Sequence, residues 1–545
     1  MIEPVGDADP TWYQRAVFYE VLTSGFRDSN GDGIGDIPGI IEKLDHFAWL
    51  GVDCIWLLPF YKSPLRDNGY DISDYLTVHP EFGNVADVAH LLDEAHQRGI
   101  RVIADLVVNH TSDQHPWFVE SSSSRDNPRA DWYVWSDEDT RWPEARVIFI
   151  DTEPSNWSWH PVRGQYYWHR FFDHQPDLNY DCPEVSDAMF DVMSHWLAMG
   201  LDGMRLDAVP YLFERDGTNG ENLQETHQWL RELRQRVDDA FPHRVLLAEA
   251  NQPPEQVVEY FGAGDECHMA FHFPVMPRMF KSLRDHQAST IIDVLDETPV
   301  IPETCQWGLF LRNHDELTLE MVTRDEYDFM LAEYAPEPGM RRNVGIGRRL
   351  FPLLGDDRRQ AELLHSLLFS LPGSPVIYYG DEIGMGERME LPDRDPVRLP
   401  MQWDAGPNGG FSDAPPEDLY LPSLDEGPYG YPTRNVAAQT ADPHSFLNWL
   451  RWIISVRAAR QEFATGRFRI LETDHDSVLA YVRNGEATST LCVASVSNEE
   501  VVATVSLGDL RVGSTIARCS HAAHVESPGP AVTLPPFGWE WFDIL

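Results

Sequence analysis

The sequence is poor in cysteine, in positive charge and in long apolar runs, and each shortage removes a class of protein. Its 545 residues carry six cysteines, Cys54, Cys182, Cys267, Cys305, Cys492 and Cys519, with no Cys-x-x-Cys pair among them. Scattered thiols of this kind build neither a small disulfide framework nor a zinc ribbon, and read as reduced thiols of a cytoplasmic protein. Lysine and arginine number 42 against 88 aspartates and glutamates, a formal net charge of −46. So acidic a surface repels phosphates, which argues against nucleic acid and anionic membranes as partners and suits a neutral substrate. Nowhere do eighteen apolar residues run uninterrupted, and Met1-Ile2-Glu3-Pro4-Val5-Gly6-Asp7 has no apolar signal core. No transmembrane helix is therefore expected.

What is present is a globular composition, 42% apolar and 12% aromatic, in a chain long enough for one large barrel plus smaller modules. Apolar strand-like runs (Val17–Leu22, Cys54–Leu58, Val102–Val107, Gly203–Leu206, Val245–Ala248, Met269–Phe273, Leu309–Leu311 and Val376–Tyr379) alternate with helical periodicity, as in Val85–Gln97, Asp187–Met199 and Glu225–Phe241. Eight strand–helix units predict an α/β protein with a parallel (β/α)8 TIM barrel, formed by residues 1–110 and 176–464, with its active site at the carboxyl ends of the strands. The stretch 111–175, rich in Trp, Ser, Asp and Pro, reads as a subdomain inserted after the third strand. Residues 316–355 read as a lid-like or helical excursion. From 465 to 545, short alternating runs such as Ser477–Arg483, Thr490–Ser497, Val501–Leu507 and Ala531–Leu534 predict an antiparallel β-sandwich domain, which offers a surface for a homo-oligomer.

Three short stretches carry the chemistry: Gly-Met-Arg-Leu-Asp at 203–207, Leu-Ala-Glu-Ala-Asn at 247–251 and Leu-Arg-Asn-His-Asp at 311–315. In each, an apolar run leads into an acid, Asp207, Glu249 or Asp315. A carboxylate that ends a barrel strand faces the mouth instead of the core. Three of them suit glycosidic-bond chemistry, which needs a proton donor and a carboxylate to meet an oxocarbenium-like carbon. Arg205, two residues before Asp207 on the same strand face, is expected to lower its pKa. Glu249 is expected to be the less solvated, higher-pKa partner.

Together with Asp105-Leu106-Val107-Val108-Asn109-His110 at the third strand end, these stretches resemble the four short motifs of the α-amylase family, in the right order over nearly the whole chain. The resemblance implies Asp207 as nucleophile, Glu249 as general acid/base and Asp315 as stabiliser of the distorted sugar. It also implies that Asp67 takes distal sugar hydroxyls, that Tyr70 stacks on the ring, and that His110 and His314 donate beside the nucleophile. Arg394 and Arg398 resemble the family's sugar-contacting arginines, Arg398 the more closely. Phe172 and Gln175, before Pro176-Asp177-Leu178-Asn179, resemble the branch that acts from chain ends on short α-glucosides, which favours a closed pocket.

Asp28-Ser29-Asn30-Gly31-Asp32-Gly33-Ile34-Gly35-Asp36 sets oxygen ligands at alternate positions with glycines at the bends. The twelfth position is Gly39, not Glu, which separates it from an EF-hand. It resembles the family's calcium-type loop, with Asp28, Asn30, Asp32 and Asp36 binding by side chain and Ile34 by carbonyl. Structural Ca2+ is expected there, with Mg2+ as the alternative. Resemblance to relatives with calcium at the barrel–insert junction suggests a second site at Asn109, Asp177, Glu214 and the carbonyls of Tyr211 and Leu212; ordinary hydrogen bonding accounts for the same residues nearly as well.

The segment 208–227 after Asp207, and Ala-Glu-Ala-Asn-Gln-Pro-Pro around Glu249, resemble the branch that isomerises maltose and trehalose. That resemblance implies a retaining double displacement through a covalent β-glucosyl-Asp207, with minor hydrolysis to glucose and no organic cofactor. Asn251, Gln252 and Glu316 are then the candidates for gripping the acceptor glucose. The alternative is an exo-acting α-glucosidase or oligo-1,6-glucosidase that hydrolyses short α-glucosides with the same acids.

Overall fold

The computed structural model describes residues 9–521 and 531–545; the N-terminal stretch Met1–Asp7 lies outside them. Eight parallel strands close into a barrel: β1 (Phe18–Val21), β2 (Cys54–Leu57), β3 (Arg101–Val107), β4 (Gly203–Asp207), β5 (Val245–Ala248), β6 (Met269–Phe271), β7 (Gln306–Phe310) and β8 (Ser374–Tyr378). Each strand pairs with its neighbours in sequence, and β8 closes on β1 through Phe18 opposite Val376 and Glu20 opposite Tyr378. The expected TIM barrel is the observed one.

These runs become barrel strands because both of their faces are covered. Every residue of all eight strands is buried, as a parallel sheet lined by helices on one side and filled by side chains on the other requires. Outer helices bury one stripe. In Val85–Gln97 the buried residues are Val88, Leu91, Leu92 and Ala95, and the helix opens on an Asn84–Asp87 capping box. The seventh strand starts at Gln306, ahead of the apolar run expected at Leu309–Leu311. Gln306 is buried, and its amide donates to the carbonyls of Gln14 (3.2 Å) and Ala464 (2.9 Å), so a polar residue stands in the strand without cost to the apolar pattern.

Between β3 and β4 the chain builds a three-stranded antiparallel sheet from Trp135–Ser136, Gln165–Trp168 and Trp157–His160, around a cluster of Val134, Trp142, Ala145, Trp157 and Trp168. The excursion after β7 contains the helix Arg324–Tyr334 and a small sheet of Leu317–Thr318, Gly345–Ile346 and Arg341–Arg342. Beyond Gly466, an antiparallel five-stranded sheet, ordered Arg467–Leu471, Val478–Asn484, Ser489–Ser495, Trp539–Ile544, Val512–Arg518, packs on a two-stranded sheet of Val501–Thr504 and Ala531–Leu534. A core of its own, including Leu471, Val482, Leu491, Val493 and Phe542, holds these sheets together.

All six cysteines are free thiols, five of them buried. Among the described residues no helix is long and apolar enough to cross a membrane.

Candidate active site

The carboxyl ends of the strands bring the expected acids to one place. Asp207 is the last residue of β4, in register with Val107 of β3, and Glu249 follows directly on β5. The backbone amide of Glu249 donates to the Leu206 carbonyl (3.0 Å), and its Oε2 accepts from the backbone amide of Ala208 (3.1 Å). Ala208 itself is in the left-handed region at φ +52°. A non-glycine residue held there is strained, and the strain sits immediately after Asp207.

One guanidinium lies beneath both acids. Arg205 reaches Asp207 (2.6 Å), Glu249 (2.5 Å) and Asp105 (2.7 Å), and is itself almost wholly buried. Burial pushes the Asp207 carboxyl well above its usual range, Arg205 pulls it down, and the charges of Glu249 and Asp105 push it up again. The expected order of solvation is reversed: the Asp207 side chain is 10% exposed and that of Glu249 21%. The cause is position, because Asp207 still belongs to the strand register while Glu249 lies one residue past its strand.

Asp315 is held from the other side. Its Oδ1 accepts from Arg394 (2.9 Å) and Arg398 (3.1 Å), and His314 Nε2 stands 3.1 Å from Oδ2. Burial alone would raise this carboxyl, but His314 and the two arginines outweigh it and hold it well below the usual range. Arg394 also pairs with Asp67 (2.5 Å), whose second oxygen accepts from Gln175 (2.8 Å).

The cavity between these groups holds about 140 Å³ of space for water-molecule centres. Of the expected substrate residues, Asp67, Tyr70, His110, Asn251, Glu316 and Arg394 line it together with Asp207, Glu249 and Asp315. Arg205, Gln175, His314, Arg398 and Gln252 stand behind that lining as supports: Gln175 on Asp67, His314 and Arg398 on Asp315, and Gln252 on Glu221 (3.0 Å). Arg394, not Arg398, is thus the arginine that reaches the cavity, because Arg398 turns back to the His314 carbonyl (2.9 Å). Phe172 is also displaced from its expected place: it packs on Phe149 (4.4 Å between centroids) and His174, and its neighbour Phe171 lines the cavity instead.

His110 is buried at the edge of the cavity. Burial lowers its pKa to about 3, so the ring is neutral. The Asn109 amide lies 3.4 Å from Nδ1, the ring also meets the Tyr70 backbone, and Nε2 is buried without a hydrogen-bond partner. Glu316 is pushed up to about 7 by burial and by Asp315 beside it.

The far wall was not legible in the sequence. Arg146, from the inserted subdomain, bonds Glu320 (2.6 Å), Glu221 (2.8 Å) and the Tyr211 hydroxyl (3.2 Å). Arg170 adds a second bond to Glu221 (2.9 Å), and the Asn251 amide donates to Glu320. Four separate segments are tied together here: the insert, residues 211–223, the residues after Glu249, and the excursion after Asp315. Neither Arg146 nor Glu320 stands in a motif; only their pairing across 174 positions reveals them.

The residues expected to hold metal fall in two settings. In the Asp28–Asp36 loop the side-chain oxygens accept backbone hydrogens: Asp28 from Asn30, Gly31 and Gly33, Asn30 from Asp32, Asp32 from Ile34, and Asp36 from Ser29 and Gly39. At the barrel–insert junction, Asn109 Oδ1 and Asp177 Oδ2 are buried without a hydrogen-bond partner, and Glu214 is pushed up to about 8 by burial. Glu214 also raises Asp177, which burial already holds well above its usual range.

Comparison with known proteins agrees with this geometry. The family model described as alpha amylase, catalytic domain, matches residues 20–332 and 347–466, and that of the maltogenic amylase C-terminal domain matches 468–541. The chain is similar to the trehalose synthase/amylase TreS of Mycolicibacterium smegmatis, at 55% identity over 98% of this chain and 93% of the relative. It is 57% identical to a trehalose synthase of Pimelobacter sp. over 90% of this chain and 88% of the relative. Among solved structures, the trehalulose synthase MutB of Pseudomonas mesoacidophila MX-45 superposes with a TM-score of 0.82 at 28% identity, covering 98% of this chain and 99% of that one. With the catalytic-domain model matched over residues 20–332 and 347–466 and three acids gathered at the barrel mouth, the chain belongs to the α-amylase family.

Proposed function

We propose that this protein interconverts maltose and trehalose by moving one glucosyl group inside a closed pocket. The observation that carries the proposal is the joining of two features: Asp207 and Glu249 face one small cavity, and Arg146 ties its outer wall across Glu221 and Glu320. Similarity to proteins named trehalose synthase supports the same substrate pair.

In this mechanism Asp207 attacks the anomeric carbon of the bound disaccharide while Glu249 gives its proton to the departing oxygen. The glucosyl group is then covalently held on Asp207, and the released glucose stays in the pocket and turns. Glu249 takes the proton from the anomeric hydroxyl of that glucose, whose oxygen attacks the glucosyl carbon and releases Asp207. Starting from maltose, the new bond is α,α-1,1. Asp67, Arg394 and His110 hold the transferred ring, while Asp315, kept ionised by its arginines, meets the charge that develops on it. Confinement raises the effective concentration of the released glucose over that of water. Asn251 and Glu316 line the acceptor side, and Gln252 steadies Glu221 behind it.

Calcium is proposed at both oxygen-rich positions. At the junction, two buried oxygens without partners, Asn109 Oδ1 and Asp177 Oδ2, with the Glu214 carboxyl acting on Asp177, offer the hard donors that Ca2+ takes, and the carbonyls of Tyr211 and Leu212 would complete the set. In the Asp28–Asp36 loop the donor chemistry fits as well, with Mg2+ the alternative. A cation at either place would crosslink loops and take no part in glucosyl transfer.

Five outcomes check these statements. Incubation with maltose, followed by NMR, should yield trehalose with minor glucose, and Asp207→Asn should reduce turnover by about 10⁴-fold or more; glucose without trehalose would overturn the isomerase. Arg146→Ala should raise the glucose-to-trehalose ratio severalfold while leaving maltose cleavage largely intact, as product chromatography would show. Because burial raises the Asp207 pKa, the reactive carboxylate is lost as pH falls through a value above the ordinary range of about 4; kcat/KM should therefore decline on the acid side well before that point, in a pH–rate profile. Chelation should lower the midpoint of thermal unfolding, added Ca2+ should restore it, and Asp177→Asn should shrink that difference.

A further inference from the structure

Behind Asp315 lies a buried acid that the glucosyl-transfer mechanism does not use. Glu20 is in β1, fully buried, between Trp56 of β2 and Tyr378 of β8. Its Oε1 is 2.6 Å from His314 Nδ1 and 3.1 Å from the His314 backbone nitrogen, while Oε2 has no partner.

Counting hydrogens along the contacts of His314 leads to a definite protonation. Asp105 is paired with Arg205, and burial pushes its carboxyl only to about 6, so it is ionised at neutral pH. The Tyr70 hydroxyl donates its one hydrogen to Asp105 Oδ2 (2.9 Å). Its oxygen lies 2.8 Å from His314 Nε2, and with its own hydrogen committed, that contact is a hydrogen bond only if Nε2 carries a hydrogen. The same nitrogen faces the Asp315 carboxylate at 3.1 Å, where a bare lone pair would be repelled. The 2.6 Å contact at Nδ1 requires a hydrogen of its own. Two hydrogens therefore belong to Glu20 and His314 together, one more than an ionised acid beside a neutral imidazole would hold.

We propose that Glu20 is a positioning residue that shares this extra proton with His314, so that Nε2 carries a hydrogen and is aimed at Asp315. The pair is electrically neutral whether the proton sits on the acid or on the ring. Burial pushes Glu20 well above the usual carboxylate range and His314 well below the usual imidazole range, which favours the neutral acid beside the neutral ring. The charged groups that face the pair are Asp105 on β3, Arg205 on β4, Asp315 on its own loop, and Arg394 and Arg398 from the segment after β8. With Oδ1 of Asp315 held by the two arginines, the Nε2 hydrogen orients Oδ2. Glu20 thus acts on the reacting sugar only through His314 and Asp315, and its kinetic consequence rests on the retaining mechanism proposed above.

Glu20→Gln tests the idea without changing volume. The amide oxygen can accept from both the backbone and Nδ1, but the amide has no proton to share and no charge to balance an imidazolium. His314 should then hold its hydrogen on Nδ1 and turn a bare Nε2 to Asp315. Nitrogen-15 NMR of histidine-labelled protein, with the His314 signals assigned by their loss in His314→Gln, should show Nε2 protonated in the parent protein and unprotonated in Glu20→Gln. On maltose, kcat should fall by about 10- to 100-fold with a much smaller change in KM. In a His314→Gln background the same substitution should add less than about twofold. A bare Nε2 in the parent protein, an unchanged nitrogen pattern in Glu20→Gln, parent-like kcat, or a full additional loss in the His314→Gln background would each overturn the proposal. If Glu20→Gln does not fold, the nitrogen signals of the parent protein decide alone. Absence of maltose turnover in the parent protein would instead remove the retaining reading and leave the nitrogen experiment standing.

Discussion

The rest of the site depends on one buried cation. Arg205 stands among Asp105, Asp207 and Glu249, with Tyr70 and Trp56 against its faces. Three carboxyl groups at the mouth of an apolar barrel would repel one another and resist ionisation. A single guanidinium that contacts all three lets them approach one another at a single cavity. Removing it would leave buried acids without a counter-charge, a loss of about 3–5 kcal/mol. The barrel supplies the placement: Arg205 and Asp207 are i and i+2 on β4, hence on one face, while Asp105 comes from β3 and Glu249 from the end of β5.

Around this centre, charge is arranged in two directions. On the Asp207 side burial dominates and raises the carboxyl; on the Asp315 side Arg394 and Arg398 dominate and lower it. Carboxyls in a single pocket are thereby given different proton affinities. The outer wall has another task. Arg146, Glu221, Glu320 and Asn251 touch no reacting atom in the proposed mechanism, yet they hold four segments together over the cavity. In the proposed mechanism, the acids decide which bond is broken, and the time for which that wall excludes water decides what becomes of the glucosyl group.

Much of this was legible before folding. Strand Val245–Ala248 and helix Val85–Gln97 occupy the residues their periodicity predicts, because both patterns are set by neighbours a few residues away. The same locality explains the failures. Gln306 hides the start of β7, since its amide is satisfied by Gln14 and Ala464, far off in the chain. Phe172 and Arg398 lie next to the lining they were expected to form, and only the turn of the backbone assigned that lining to Phe171 and Arg394.

The sequence by itself determined the barrel, the order of its strands and the three acids at their ends, because alternating apolar runs and a carboxylate that closes them are local signals. Tertiary structure decided the partners of those acids: that Asp207 is buried more deeply than Glu249, that Arg394 and not Arg398 reaches the cavity, and that Arg146 closes the far wall. Those outcomes are set by distances between segments tens to hundreds of residues apart, and by how far each charge is removed from water. Neither quantity exists until the chain has packed.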